Sequence, residues 1–197
     1  MKTLFNNDWQ FCKTKPGCKA ENYKEIQIPH DWLIYNSNDL YESSYGHYKK
    51  SYDFGDITGK SIRLFFEGVY MDCTVSVNGN AAFEWRYGYS SFEADITKYL
   101  HNGMNEIEVE VRHMSPNTRW YSGAGIYRDV WLIVTPVSHL ATDGVYFHHE
   151  KRDNAWDCYL SAETVDADNM SVRFTLENNT KVLYSNTLPA RNQTEVA

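Results

Sequence analysis

A strict alternation of apolar and charged residues between positions 105 and 112 constrains the fold more than any other feature. Ile107, Val109 and Val111 occupy one side of this run, and glutamates stand at the positions between them. Successive side chains of a strand point to opposite faces of a sheet, so this period of two predicts a strand with one buried and one solvated face. The chain is therefore expected to build an antiparallel sheet over a core.

The same pattern returns along most of the first 137 residues. Alternating or apolar runs at 48–54, 61–69, 73–77 and 81–85 are separated by turn-forming residues, and Asn78-Gly79 is typical of a two-residue hairpin. Asp95 can cap one helical turn near residues 95–100, but no amphipathic helix exceeds about two turns. Many short strands at regular spacing predict an all-β protein, a β-sandwich or jelly roll.

A seam at residues 135–138 divides the chain into two predicted domains. Residues 1–137 form a jelly-roll β-sandwich, and residues 138–197 supply strands at 144–149, 155–165 and 171–177, with a fourth at 181–185. Four strands do not complete a sandwich of about seven strands, and we expect residues 191–197 to add no closing strand. The second domain is therefore predicted to be an incomplete β-sandwich from a longer protein, with open edges that also allow a homo-oligomer.

Composition excludes several classes of function. A net charge of −7 argues against a nucleic-acid-binding protein, and no run of about 18 apolar residues predicts a membrane span. The first residues lack the apolar core of a signal peptide, so a cytoplasmic location is expected. The four cysteines show no Cys-x-x-Cys pattern, and no metal site or cofactor is predicted. A Cys12–Cys18 bridge stays open beside the favoured alternative of four free thiols.

The stretch from residue 117 to residue 132 carries the most function-like side chains. Arg119, Trp120 and Tyr121 are large groups with polar ends, and they precede a run of small residues at 122–125. Such groups on a loop beside a strand suit a surface that meets a sugar or another protein. The alternative is a loop whose arginine and tryptophan seal the end of a sandwich.

Five ordered motifs between residues 5 and 137 resemble glycoside hydrolase family 2, and the β-galactosidases within it in particular. They are Pro29-His30-Asp31-Trp32 followed by Gly46-His47-Tyr48-Lys49-Lys50-Ser51-Tyr52, then Phe65-Phe66-Glu67-Gly68-Val69-Tyr70-Met71, Val75-Ser76-Val77-Asn78-Gly79, Tyr87-Gly88-Tyr89-Ser90-Ser91-Phe92, and Arg119 to Leu132. From residue 138 onward the chain resembles the first half of the immunoglobulin-like domain that follows in that family.

The resemblance implies a galactose-binding-like jelly roll, then an immunoglobulin-like sandwich, then a TIM barrel that carries two catalytic glutamates of a retaining enzyme. No catalytic residue is predicted in these 197 residues, and Glu67 is interpreted as a structural hydrogen-bond acceptor. The chain is therefore expected to be the noncatalytic part of a carbohydrate-metabolising hydrolase, to pack on the barrel, and to cleave no glycoside alone.

The resemblance also places the segment matching residues 117–121 near the sugar pocket. Asn117, Arg119, Trp120 and Tyr121 are the predicted substrate-binding residues, although the acidic side chain that some family members supply there is absent. Arg119 can instead pair with a carboxylate of the barrel.

Two further substrate-binding candidates lie in the first motif. Asp31 and Trp32 have structural alternatives, as a hydrogen-bond acceptor that stabilises a corner and as part of the core. Arg128 is predicted to hold the small-residue hinge by a bidentate bond to Glu67 or Asp72.

Alternatives from other classes remain beside the β-galactosidase prediction. The same jelly-roll architecture serves stand-alone carbohydrate-binding modules, and it also occurs in structural interaction domains. β-Glucuronidases and β-mannosidases share the same domain order. A β-galactosidase is therefore the preferred prediction for the parent enzyme, with a β-glucuronidase or a β-mannosidase as the alternatives. A calcium or sodium ion rests on fold analogy alone.

Overall fold

The computed structural model describes residues 1–35, 38–39, 41–117 and 123–196. The chain divides into two compact units, Met1–Val134 and Thr135–Ala197. The division falls three residues before the boundary predicted from the sequence. Within the described ranges, no helix is long and apolar enough to cross a membrane.

Unit 1 contains two antiparallel sheets. The first has the strand order β1-β10-β5-β8, and the second has the order β3-β2-β4-β9-β6-β7. The strands are β1 (Lys2–Leu4), β2 (Trp9–Thr14), β3 (Lys24–Ile26), β4 (Ser44–Asp53), β5 (Lys60–Phe66), β6 (Asp72–Val77), β7 (Asn80–Trp85), β8 (Phe92–Asp95), β9 (Met104–His113) and β10 (Val130–Pro136). Together with the strands of unit 2, they confirm the all-β prediction.

The core of unit 1 is formed by the inward faces of these strands. On β9, Ile107, Val109 and Val111 are fully buried, while the glutamates between them are only partly covered. Trp9, Ile62, Leu64, Phe66 and Val75 belong to the same buried cluster. The alternation in the sequence thus identified the buried face of the central strand correctly, because the pleat assigns alternate residues to opposite sides.

Lys50 is the exception on the inner face of β4, as its sequence position indicated. It is 5% exposed, and its ammonium group lies 4.0 Å from the ring centre of Phe5. Its Nζ also donates to the main-chain oxygen of Asn7 at 2.6 Å. A buried ammonium needs such partners, because cation–π contact and a hydrogen bond offset the loss of water. Burial lowers the pKa of Lys50.

Two local predictions are confirmed. Asn78 and Gly79 both have positive φ, 51° and 77°, and connect β6 to β7 as a primed hairpin turn. A single 3-10 turn at Thr97–Tyr99 takes the place of the predicted helical turn, and the carboxylate of Asp95 accepts the Thr97 N–H at 2.9 Å.

Unit 2 consists of a three-stranded sheet, β11-β12-β15, and a two-stranded sheet, β13-β14. Its strands are β11 (His139–Arg152), β12 (Ala155–Val165), β13 (Ser171–Asn178), β14 (Lys181–Pro189) and β15 (Gln193–Val196). The expectation that residues 191–197 add no strand is wrong, since β15 pairs with β12 from Leu160↔Val196 to Glu163↔Gln193. This pairing is non-local, and no periodicity in a four-residue segment announces it.

Unit 2 buries little apolar surface. Phe174 and Ala162 are buried, whereas large side chains on both of its sheets remain exposed. The exposed set is Leu140, Val145, Tyr146, Phe147, Trp156, Tyr159, Val165, Met170, Val182, Leu183 and Tyr184. The described residues of unit 2 therefore leave apolar surface exposed, and the incomplete β-sandwich stays a prediction.

Candidate functional site

Asp31 and Trp32 lie beside the end of the small-residue hinge. Main-chain hydrogen bonds join Trp32 N–H to the oxygen of Ala124 at 3.0 Å and His30 N–H to the oxygen of Ile126 at 2.8 Å. The Asp31 carboxylate accepts the N–H groups of Ala124 at 3.0 Å and Leu33 at 2.9 Å. The fold thus brings the first motif against residues 124–126, which are about 90 positions away in the sequence.

Gly125 fits where no other residue would. Its φ is +136°, and an added Cβ would overlap the main-chain oxygen of His30 and approach the Tyr48 hydroxyl to 2.6 Å. Its main chain also pairs with Tyr70 through two hydrogen bonds of 2.9 Å. Gly125 therefore packs closely against His30 of the first motif and pairs with Tyr70 of the second, and a residue without a side chain is needed there.

The buried Tyr48 and the partly exposed His30 support this packing. The Tyr48 hydroxyl lies 2.9 Å from His30 Nδ1 and accepts the Ile126 N–H at 3.3 Å. Burial raises the pKa of Tyr48 well above its usual value and lowers that of His30. The neutral forms of both side chains are thus favoured. The Tyr48 hydroxyl can also donate to the main-chain oxygen of His30 at 3.4 Å.

The Trp32 indole is part of the core and is tied to a carboxylate. It lies closely over Gly46, and its Nε1 donates to Ser44 Oγ at 3.0 Å, which in turn donates to Glu42 Oε1 at 3.0 Å. Lys13 Nζ lies 2.8 Å from the same Glu42 oxygen. Burial opposes ionisation of Glu42, but the bonds from Lys13 and Ser44 outweigh it and lower the Glu42 pKa.

Asn117 is held by a residue that sequence reasoning did not select. Its side-chain nitrogen lies 2.8 Å from Nε2 of His113, the last residue of β9. The other ring nitrogen of His113, Nδ1, lies 2.8 Å from the main-chain oxygen of Glu42. Glu42 therefore connects to both Trp32 and Asn117, through its carboxylate in one case and its carbonyl in the other.

Tyrosines continue this surface beyond His113. The Tyr70 ring is buried 6.2 Å from the His113 ring and 5.4 Å from the ring of Tyr89. Tyr89 and Tyr87 are 39% and 58% exposed, with ring centres 5.7 Å apart. Tyr127 donates its hydroxyl to the Gly88 oxygen at 2.8 Å and so fixes the segment between them. Exposed aromatic rings on a fixed support suit stacking on a sugar or on another protein surface.

Three predicted substrate-binding residues, Arg119, Trp120 and Tyr121, lie outside the described residues. Asn117 and the 124–126 segment flank them and are anchored by the contacts above. The substrate-binding role of Asp31, Trp32 and Asn117 stays a prediction. Asp31 and Trp32 have the hydrogen-bond partners expected of their structural alternatives.

The predicted partner of Arg128 is wrong. In the described part of the chain, the exposed Arg128 forms no ion pair with Glu67 or Asp72, and its guanidinium lies 5.4 Å from the Tyr127 ring centre. Glu67 accepts from Trp131 Nε1 at 2.8 Å instead, which confirms its structural role. The neighbouring residue Asp129 does form a carboxylate hydrogen bond, because it accepts from the Asn6 amide at 2.8 Å.

The chemistry available to this site is hydrogen bonding and ring stacking. Its carboxylates, the buried Asp31 and the partly exposed Glu42, both accept from donors. Among the described residues, no three side chains of the metal-binding types gather to hold an ion. The four cysteines are free, and Cys12 Sγ donates to the Glu21 oxygen at 2.7 Å. The described side chains of this region can therefore donate and accept hydrogen bonds and stack on a ring.

The family model of the glycosyl hydrolases family 2 sugar-binding domain matches residues 6–136. This range includes Asp31, Trp32, Asn117 and the hydrogen-bond partners given for them above. The chain belongs to glycoside hydrolase family 2.

Relatives and solved structures of the family extend the match into unit 2. A β-galactosidase of Bacteroides ovatus is 36% identical over 162 residues, covering 72% of this chain and 19% of its own length. A putative β-glucuronidase of Formosa agariphila is 32% identical over 164 residues, covering 74% of this chain and 16% of its own length. The chain thus spans less than a fifth of either relative.

One solved structure supports the same assignment at the level of fold. A family 2 member from Bacteroides cellulosilyticus has a TM-score of 0.78 and 25% identity, and the match covers 99% of this chain and 30% of that one. The predicted resemblance to the N-terminal region of family 2 glycosidases is therefore confirmed.

Sequence reasoning missed His113 and Glu42 as supports of the site. A signal for His113 was present, because it continues the inward register of Ile107, Val109 and Val111 and a histidine at a core position needs partners. Glu42 gave no signal, since its role depends on contacts with residues 29 and 71 positions away.

Proposed function

We propose that this chain is the noncatalytic N-terminal part of a retaining family 2 glycosidase, and that unit 1 contributes substrate-binding residues, Asn117 among them, to the sugar pocket. The observation that carries the proposal is the set of hydrogen bonds that holds Asn117 and residues 124–126. His113 holds Asn117 on one side, and Asp31, Tyr70 and Gly125 hold the hinge on the other. Positioning by buried residues of rigid sheets is what a ligand-facing segment requires.

A β-galactosidase parent is favoured over a β-glucuronidase. Support comes from the 36% identity to the Bacteroides ovatus β-galactosidase, against 32% for the putative β-glucuronidase. A β-galactoside, with hydroxyls only, suits amide and aromatic groups.

The test of the noncatalytic assignment uses the purified 197-residue chain. Incubation with nitrophenyl β-galactoside and nitrophenyl β-glucuronide is expected to release no nitrophenol above a buffer control. A family 2 β-galactosidase serves as the positive control. Turnover by the chain, with contaminating enzyme excluded by a second purification, would overturn the assignment.

A stand-alone carbohydrate-binding module is the second candidate, and the exposed Tyr87 and Tyr89 favour it. Their rings can form a platform for a sugar face. Calorimetry with galactose and lactose separates the two candidates. The glycosidase part is expected to give little or no heat, because most of the pocket belongs to the catalytic domain, whereas a module binds the free sugar measurably.

A further inference from the structure

The hydrogen-bond partners of His113 determine which of its nitrogens carries the proton. The main-chain oxygen of Glu42 accepts only, so Nδ1 at 2.8 Å from it must be the N–H donor. In a neutral ring, Nε2 is then the acceptor, which agrees with the Asn117 side-chain nitrogen 2.8 Å away. His113 is 1% exposed and ends β9, so the ring has a rigid support.

We propose that His113 is a positioning residue that fixes the carboxamide of Asn117, one of the predicted substrate-binding residues. The inference deepens the proposed function and rests on it for the sugar. It assigns to His113 no contact with substrate. Its effect passes through the hydrogen bond between Asn117 Nδ2 and His113 Nε2, which limits the rotation of the carboxamide.

Two groups lie near His113 among the described residues. The buried Tyr70 ring lies 6.2 Å away, and the carboxylate of Glu42 accepts from Lys13 and Ser44. Protonation would add an N–H at Nε2 that points at the N–H of Asn117. Two donors cannot share one bond, so the Asn117 carboxamide would have to turn.

Two substitutions separate the two bonds of the ring. In His113→Asn, the side-chain nitrogen can replace Nδ1 and keep the bond to Glu42, but nothing reaches Asn117. In His113→Gln, the longer side chain can place its oxygen near the position of Nε2 and accept from Asn117. The pair therefore distinguishes positioning of Asn117 from general support of the β9 end.

The direct experiment is NMR on the 197-residue chain with 15N-labelled asparagine and histidine. The ring nitrogens of His113 are expected to show the Nδ1–H tautomer at neutral pH. In a pH titration, the Asn117 side-chain resonances are expected to shift in one transition, at the same pH at which His113 becomes protonated. This transition is expected to be absent from both variants. An Asn117 signal that ignores His113 protonation in the wild-type chain overturns the proposal, and this result needs no variant to fold.

The functional experiment uses the glycosidase that carries this chain. His113→Asn is expected to raise KM for nitrophenyl β-galactoside about fivefold, as the loss of one positioned hydrogen bond would, and His113→Gln to recover part of that loss. Equal losses in the two variants, with equal thermal stability, would count against positioning. The wild-type enzyme could cleave no glycoside while the Asn117 resonances still follow His113 protonation. That result would overturn the proposed function and support the His113–Asn117 hydrogen bond.

Discussion

Replacement of Asp31 by alanine tests whether this residue supports the packing of residues 124–126 in unit 1. Its carboxylate accepts three main-chain N–H groups, from Leu33 at 2.9 Å, Ala124 at 3.0 Å and Ile34 at 3.2 Å. Leu33 and Ala124 are fully buried, whereas Ile34 is half exposed and can bond to water. Alanine would therefore leave two buried donors unpaired.

The expected cost follows from these two donors. An unsatisfied buried N–H costs about 1–3 kcal/mol, so Asp31→Ala should lower the free energy of unfolding of unit 1 by about 4 kcal/mol. A domain of this size has only about 5–15 kcal/mol in total, and the variant would be marginal. Asp31→Asn is the matched control, because its amide oxygen can accept from the same donors, and we expect it to cost about 1 kcal/mol.

Urea unfolding followed by tryptophan fluorescence measures both variants. Five of the six tryptophans lie in unit 1, so the signal reports mainly that unit. The reasoning fails if Asp31→Ala stays within about 1 kcal/mol of the wild-type protein, or if Asp31→Asn is equally damaging. A stable Asp31→Asn variant would also provide the folded protein needed to test the predicted substrate contact of Asp31.

Three further predictions concern unit 1. Gly125→Ala should destabilise unit 1 by at least about 3 kcal/mol, because the new Cβ would overlap main-chain atoms. Gly79 also has a positive φ but has open space around it, so Gly79→Ala should cost only about 1 kcal/mol. Comparing the thermal denaturation of the two variants isolates the effect of the overlap. Burial lowers the pKa of His30, so its contribution to stability is complete above the unfolded pKa of about 6.5 and is lost as the pH falls toward the folded pKa. His30→Gln should reduce this acid-side slope in urea titrations at stepped pH, and an unchanged slope would contradict it. Lys50→Met should shift the urea midpoint by less than Gly125→Ala does. Because burial lowers the Lys50 pKa in the folded state, the wild-type protein should gain stability as the pH rises toward the ordinary lysine pKa, and Lys50→Met should remove this gain.

Strand positions and faces were largely predictable because they depend on local periodicity. The run at 105–112 fixed the buried side of β9, and Asn78-Gly79 fixed a hairpin whose two positive φ values suit these residues. The same rule failed for β15, whose four residues carry no period of their own and become a strand only by pairing with β12.

The site was predictable as a region and not as a set of contacts. The sequence placed Asp31, Trp32 and Asn117 in motifs of one family, and the structure shows their anchors. Arg128 was assigned a carboxylate partner from its chemistry alone, yet Trp131 occupies Glu67. A side chain's chemistry limits the kinds of partner it can take, but the fold decides which partner lies within reach.

The sequence by itself determined the fold class and the family, because alternating strands and ordered motifs are written in neighbouring residues. Only the tertiary structure decided that Glu42, through His113 and Ser44, links Asn117 to Trp32. These residues are up to 85 positions apart, and hydrogen bonds of about 3 Å between them exist only once β4 and β9 have paired in register.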